Sequence, residues 1–304
     1  MKIKRIFLIG SVALLFLSAR QGKFTVYDLK YIEEHMQYIP ASSFNTGEPV
    51  RTVSVNPFYM CSYEMTNGMY CYYLRELQKE KVDTAVYNKA LPDTLIWRSK
   101  LVYQEPYTYY YLRHPAYADY PLVGVNYDQA IAFCQWLTIN YNSWPERKYK
   151  NVKFDLPSKD QWVCAARGGK TFALFPWEGE QMTNKENKWM ANFLTVNQSN
   201  VYRDTINGQI IYRATILGDS PGIVGNLNDG TDFTVPVNSF FPNEYGLYNM
   251  AGNAEEMVKE KGITKGGSWH DTGYYLQNEV EENYTDSTAI SSERGFRIMM
   301  MVGK

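Results

Sequence analysis

Between Val53 and Met60 apolar and polar side chains alternate, in Val53-Ser54-Val55-Asn56-Pro57-Phe58-Tyr59-Met60, and predict a half-buried strand. Upstream, Tyr38-Ile39-Pro40 followed by Phe44-Asn45-Thr46-Gly47 reads as a strand and a turn. The period then changes. Thr66 suits a helix N-cap, because its hydroxyl can accept from an orphan amide of the first turn, and Tyr70, Tyr73, Leu74 and Leu77 follow at helical spacing. Two capping boxes stand further on. Asn126 with Gln129 precedes an apolar face of Ala130, Phe133, Cys134 and Leu137. Ser158 with Gln161 precedes Trp162, Ala165 and Ala166, and Gly168-Gly169 ends that helix. From about Lys79 to Tyr120 no period is visible. This stretch holds Pro92, Pro106, Pro115 and the cluster Tyr107, Tyr109, Tyr110 and Tyr111, and predicts a long insertion of short extended pieces. After Gly169 the periodic runs are short, and neither a repeat nor a linker interrupts the chain, which favours a single domain.

The N-terminus reads as an address. Lys2, Lys4 and Arg5 precede an apolar run from Ile6 to Leu17, a charged segment and apolar core of signal-peptide length, too short for a comfortable membrane span. Leu17-Ser18-Ala19 resembles the first three residues of a bacterial lipobox, with Arg20 where the lipidated cysteine would stand. The expectation is an exported chain with a signal peptide over residues 1–19, an altered or lost lipid anchor, and a domain from 23 to 304.

Charge and composition narrow the class of partner. Thirty-one Lys and Arg stand against 32 Asp and Glu, a net charge of −1, so no basic footprint for nucleic acid exists. Charged residues at 21% and hydrophobic ones at 45% fit a folded chain of 304 residues, not a disordered one. Four cysteines, none in a CxxC pair, exclude a disulfide-built scaffold and a zinc ribbon. The 26 tyrosines suit a loop-rich fold or a contact surface, and the Tyr-rich insertion is the candidate surface for protein partners.

Several motifs in fixed order carry a resemblance. They are Phe58-Tyr59-Met60 with Glu64-Met65-Thr66-Asn67; Tyr120-Pro121-Leu122-Val123-Gly124-Val125; and Leu156-Pro157-Ser158 leading to Trp162 and Ala165-Ala166-Arg167-Gly168-Gly169. Phe175-Pro176-Trp177, Ala191-Asn192 and Asn243-Glu244-Tyr245-Gly246-Leu247-Tyr248-Asn249-Met250-Ala251-Gly252-Asn253 follow. Lys265-Gly266-Gly267-Ser268-Trp269 and Arg294-Gly295-Phe296-Arg297 complete the set. Together they resemble the formylglycine-generating-enzyme-like (sulfatase-modifying factor) family. The resemblance implies an α+β fold, irregular and C-type-lectin-like, with few helices, short strands and many loops. Within the insertion, Pro92-Asp93-Thr94-Leu95 with Trp97 and His114-Pro115-Ala116-Tyr117-Ala118-Asp119-Tyr120-Pro121 resemble the gliding-motility lipoprotein K group of Bacteroidetes. That likeness implies a non-catalytic envelope scaffold of the type IX secretion and gliding machinery. Its place would be the periplasm or the periplasmic face of the outer membrane, its partners envelope proteins and other copies of itself in a ring.

The family's oxidase activity needs two cysteines just after the Gly-Gly-Ser motif, whose soft thiolates hold copper. By the family spacing those positions hold Asp271 and Leu276, so the expectation is a fold without the activity, no catalytic residue and no copper. Two other functions stay open: a metal-dependent oxidase rebuilt around His270 and Asp271, and a lectin-like ligand-binding module. His270 and Asp271 are two ligands where metal sites usually need three or four, and no GxSxG nucleophile motif is present. The resemblance also implies two structural calcium sites. The first takes the Asn192 side chain, the Phe193 carbonyl, the Asp229 side chain and the Thr231 carbonyl. The second takes the Asn249 side chain, the Gly252 and Ala254 carbonyls and the Glu256 carboxylate, oxygen ligands of the kind calcium prefers. The competing reading makes Asn192 and Asn249 turn residues and Glu256 a helix-start charge. Cys134 and Cys164 lie at family positions that in some members form disulfides with C-terminal cysteines. Ile298 stands where such a cysteine is common, so Cys61, Cys71, Cys134 and Cys164 are expected as free thiols without an assignable pairing.

Overall fold

The computed structural model describes residues 25–47, 49–98, 103–194, 201–206, 209–214, 233–284 and 289–303. The expected signal peptide, Arg20, Asp229 and Thr231 lie outside the described residues. A short helix not expected from the sequence comes first, α1 (Leu29–Glu34), capped where Asp28 accepts from the Tyr31 amide at 2.8 Å. β1 (Met36–Ile39), β2 (Ser42–Thr46), β3 (Arg51–Val55) and β4 (Phe58–Cys61) follow. The single strand expected over Val53–Met60 is therefore two. The break falls at Asn56-Pro57, where proline has no amide for a ladder, and the halves join different sheets: β3 pairs with β2, and β4 with β1. α2 (Asn67–Lys79) begins as expected, with Thr66 Oγ1 accepting from the Met69 amide at 3.1 Å and Tyr70, Tyr73, Leu74 and Leu77 buried.

The insertion corrects a second expectation, since it is helical and not extended. It holds α3 (Thr84–Ala90), a 3-10 turn (Thr94–Trp97), α4 (Glu105–Tyr110) and a second 3-10 turn (Pro115–Tyr117). Asp83 and Asp93 accept from the amides of Ala85 and Leu95 at 2.7 and 2.8 Å, and so start α3 and the first turn. Pro106 and Pro115 sit in first turns, where the missing N–H leaves nothing unpaired. Each element is too short to show a helical period. The tyrosines divide between two roles. Tyr111 is buried and Tyr107 half-buried against Trp97, whereas Tyr109 and Tyr110 are 60% and 54% exposed.

α5 (Tyr127–Ser143) and α6 (Lys159–Ala166) carry both expected capping boxes, Asn126 with Gln129 and Ser158 with Gln161. Gly168 and Gly169, at φ +59° and +85°, end α6 as a left-handed pair. The remaining strands are β5 (Val152–Asp155), the hairpin β6 (Val201–Ile206) and β7 (Gln209–Ala214), then β8 (Glu255–Met257), β9 (Ile263–Lys265), β10 (Glu281–Asn283), β11 (Arg294–Phe296) and β12 (Met299–Val302). One sheet runs β1-β4-β12-β5, all antiparallel. A second runs β10-β9-β8-β11, with β8 and β11 parallel. Alternation along β12 splits the core: Met300 joins the apolar cluster of α2 and α5, and Met299 joins that of Trp162, Phe58 and Met60 on the opposite side. All four cysteines are free, and only Cys71 is not fully buried.

Candidate functional site

The candidate site is built on β8, where neighbouring carboxylates point to opposite faces of a strand. Glu256 enters a fully buried network. Arg297, with no exposed surface, donates to it from Nε at 3.0 Å and Nη2 at 2.7 Å, and the Trp162 indole adds a bond of 2.7 Å. Arg297 is further anchored on the carbonyls of Cys61 (3.0 Å) and Tyr248 (2.7 Å). Beside it lies Glu64, equally buried. It accepts from Asn249 Nδ2 at 3.0 Å, Asn253 Nδ2 at 3.1 Å and the Ala254 amide at 3.1 Å. Burial pushes the Glu64 carboxyl up to about 8, while Arg297 and the two amides pull it back toward the ionised form.

The turn before β8 brings most of the expected calcium ligands together. Asn249, Gly252 and Asn253 all have positive φ, at +49°, +74° and +67°. A Cβ on Gly252 would stand 2.1 Å from the Asn192 carbonyl oxygen, so only glycine allows the two segments to meet. Asn253 donates its amide to that same oxygen at 2.8 Å, and Asn192 Nδ2 donates to the Phe233 carbonyl at 2.7 Å. Phe193 is buried with Phe175, Ala191, Ala251 and Leu276. Asn192 and Phe193 thus lie against the second ligand set, while Asp229 and Thr231 fall outside the described residues.

For calcium the second set fits in part. Asn249 Oδ1 is a buried acceptor with no donor among the described residues, the kind of oxygen a cation satisfies. The Glu256 oxygens already receive the Arg297 guanidinium and the Trp162 indole. A calcium ion there would bind through Asn249 and the carbonyls, and share Glu256 with Arg297.

The other face of β8 leads to the Gly-Gly-Ser motif. Glu255 pairs with Arg294 at 2.8 Å and accepts from Thr264 at 2.5 Å. Burial, helped by Asp271 and Glu255, pushes Glu282 up to about 8. Asp271 accepts from Ser268, from its amide at 2.8 Å and its hydroxyl at 2.6 Å, and burial raises its carboxyl. His270 Nδ1 sits 3.3 Å from Glu293 Oε1, a contact that raises the imidazole. Leu276, where the resemblance places the second copper-binding cysteine, is fully buried against Gly267, so an apolar side chain does packing work there. Among the described residues no group of three His, Cys, Asp or Glu is placed to hold a metal ion.

The insertion reaches this region through rings. Trp97 and Tyr107 pack on Phe233 at 5.7 and 5.1 Å, and Phe233 packs on Trp269 at 5.0 Å. Sequence reasoning missed the Glu64–Glu256–Arg297–Trp162 network as a unit. Its members stand in four separate motifs, and nothing in their spacing marks them as neighbours.

An irregular α+β domain, with a left-handed asparagine-glycine turn locked under a buried carboxylate–guanidinium network, defines a class of loop-rich fold. Comparison with known families places residues 20–302 in the sulfatase-modifying factor enzyme 1-like domain, and the chain belongs to that family. It is 25% identical over 318 residues to the formylglycine-generating enzyme of Bos taurus, covering 85% of this chain and 72% of that protein. It is also 25% identical over 278 residues to the inactive C-alpha-formylglycine-generating enzyme 2 of Bos taurus, covering 78% and 77%. Among solved structures it resembles PvdO from Pseudomonas aeruginosa (TM-score 0.55, 20% identity, 88% and 94% covered) and Treponema denticola variable protein 1 (TM-score 0.53, 18% identity, 87% and 94% covered). These likenesses fix the fold, and the named relatives include both active and inactive proteins.

Proposed function

We propose that this chain is a non-catalytic member of its family, exported to the periplasm or the periplasmic face of the outer membrane. There it acts as a scaffold of the type IX secretion and gliding machinery, holding envelope proteins and further copies of itself. The observation that carries the reading is chemical. The two positions that need copper-binding thiolates hold Asp271, bonded to Ser268, and Leu276, buried in an apolar cluster. Neither side chain supplies the soft ligand that copper oxidation of a cysteine requires. The existence of inactive relatives is consistent with a fold retained for binding. The insertion supplies the contact face in this reading, through the exposed rings of Tyr109 and Tyr110.

The test is mild extraction of the envelope followed by sizing. The expected result is a large complex containing this chain, lost in the variant Tyr109→Glu/Tyr110→Glu. That pair is chosen over a deletion because Trp97 and Tyr111 of the same insertion are core residues. A chain that extracts as a lone monomer, or that converts a cysteine peptide to formylglycine with copper, overturns the proposal. Calcium at the Asn249 turn belongs to the same reading and has its own test. Chelator should lower the melting temperature, and an unchanged melt removes the ion from the proposal.

A further inference from the structure

We propose that the cavity between α2 and the insertion is a binding site for a short-chain carboxylate. The cavity measures ≈ 260 Å³. That lies below the range of about 300–1,000 Å³ for pockets that take drug-sized ligands, so it suits a ligand of few heavy atoms. One stripe of α2 forms a wall, through Cys71, Leu74, Arg75 and Gln78 at helical spacing. The opposite wall comes from α3, the Leu91-Pro92 step after it, and Leu112-Arg113 after α4. Leu74, Leu91, Pro92 and Leu112 give it an apolar lining.

The charged residues that line the cavity have one sign. Its ionic residues are Arg75 and Arg113, and no carboxylate lines it. The Arg113 side chain makes no hydrogen bond or ion pair among the described residues. Arg75 lies over the Tyr72 ring at 5.4 Å, and its polar contacts, 3.8 Å to Glu76 and 3.5 Å to the Tyr27 carbonyl, are both long. Tyr87 adds a donor, because its oxygen already accepts from Gln78 at 2.8 Å and its own proton is left to give. An apolar recess with two guanidiniums at its walls and no acid recognises an apolar tail ending in a carboxylate. Its two guanidiniums repel a cation, and a neutral alcohol, with one oxygen and no charge, can accept a single bond there but cannot form the paired, oppositely charged contact that a carboxylate makes.

The chain carries its own reporter. Cys71 lines the cavity, where its thiol donates to the Leu112 carbonyl at 3.4 Å, and the other three thiols are buried elsewhere in the core. Maleimide labelling of the full chain at alkaline pH therefore reads Cys71. Octanoate should slow labelling with an apparent Kd on the order of 10⁻⁴ M, the scale expected of a ligand with so few heavy atoms. Octanol and octylammonium at the same concentration should not. Arg113→Gln, at an exposed position, should keep the circular dichroism spectrum and weaken octanoate by about tenfold, the worth of one charge-assisted hydrogen bond. Cys71→Ser should still bind octanoate by calorimetry, which separates the site from its reporter. Undiminished labelling in millimolar octanoate, equal protection by octanol, or an unchanged Kd in Arg113→Gln overturns the proposal.

Discussion

Glu256→Gln isolates the network beneath β8. The substitution keeps shape and volume but removes, among the described residues, the one carboxylate hydrogen-bonded to Arg297, whose wholly buried guanidinium is otherwise bonded to neutral carbonyls and keeps only the unbonded attraction of Glu64. Removing one partner of such a pair costs about 3–5 kcal/mol, because the remaining charge stays out of water. Unfolding entropy near the melting temperature is about 2.1 cal/mol/K per residue, so the roughly 280 residues of the domain give about 0.6 kcal/mol/K. The expected loss is therefore about 5–8 °C in a calorimetric melt. Arg297→Met should cost a similar amount, since it strands Glu256. The double variant should lose clearly less than the two losses added, because neither charge is then left alone. Running the same four proteins with chelator separates the ion pair from calcium. If Arg297 is what neutralises Glu256, the Glu256→Gln loss is the same with and without chelator. A shift below about 2 °C, or strictly additive losses, would refute an uncompensated buried charge as the cause.

Glu64 makes stability depend on pH. Its folded value is raised from 4.5 to about 8, so its contribution is full below about pH 4.5 and is lost as pH rises through about 8. Between pH 5 and 8 that loss is on the order of 3 kcal/mol; Glu64→Gln should flatten that part of the denaturation profile, and an unaltered slope would show that Glu64 ionises freely in the fold. Gly252→Ala should cost about 3 kcal/mol or more, from its positive φ and a Cβ placed 2.1 Å from the Asn192 oxygen, seen as loss of soluble protein or of the melting transition. An alanine variant that melts like the parent would mean the two loops part without cost.

How much of this was legible in the sequence depends on how local each signal is. Thr66, Asn126 and Ser158 announced their helices because a cap and its partner lie three residues apart. The insertion is hard to read locally because its prolines look like breakers. Pro106 and Pro115 start helical turns, and α3 and α4 are too short to display a period. The Val53–Met60 alternation continued across Pro57 although the hydrogen bonds did not. At the candidate site, the turn at Asn249–Asn253 was marked by its asparagines and glycine. The Glu64–Arg297 neighbourhood was not, since its members come from distant parts of the chain and meet only through tertiary packing.

The position of β12 bears on how the chain reaches its folded state. Met299–Val302 fills the gap between β4 and β5, and Arg297, just before it, bonds to Cys61 across a sequence separation of 236 residues. Until that stretch has left the ribosome, the first sheet has an open centre and both apolar clusters lack members. Contacts of such long range are slow to form. Before β12 is in place, β4 and β5 each expose a strand edge that β12 covers in the folded chain, edges open to pairing with other chains.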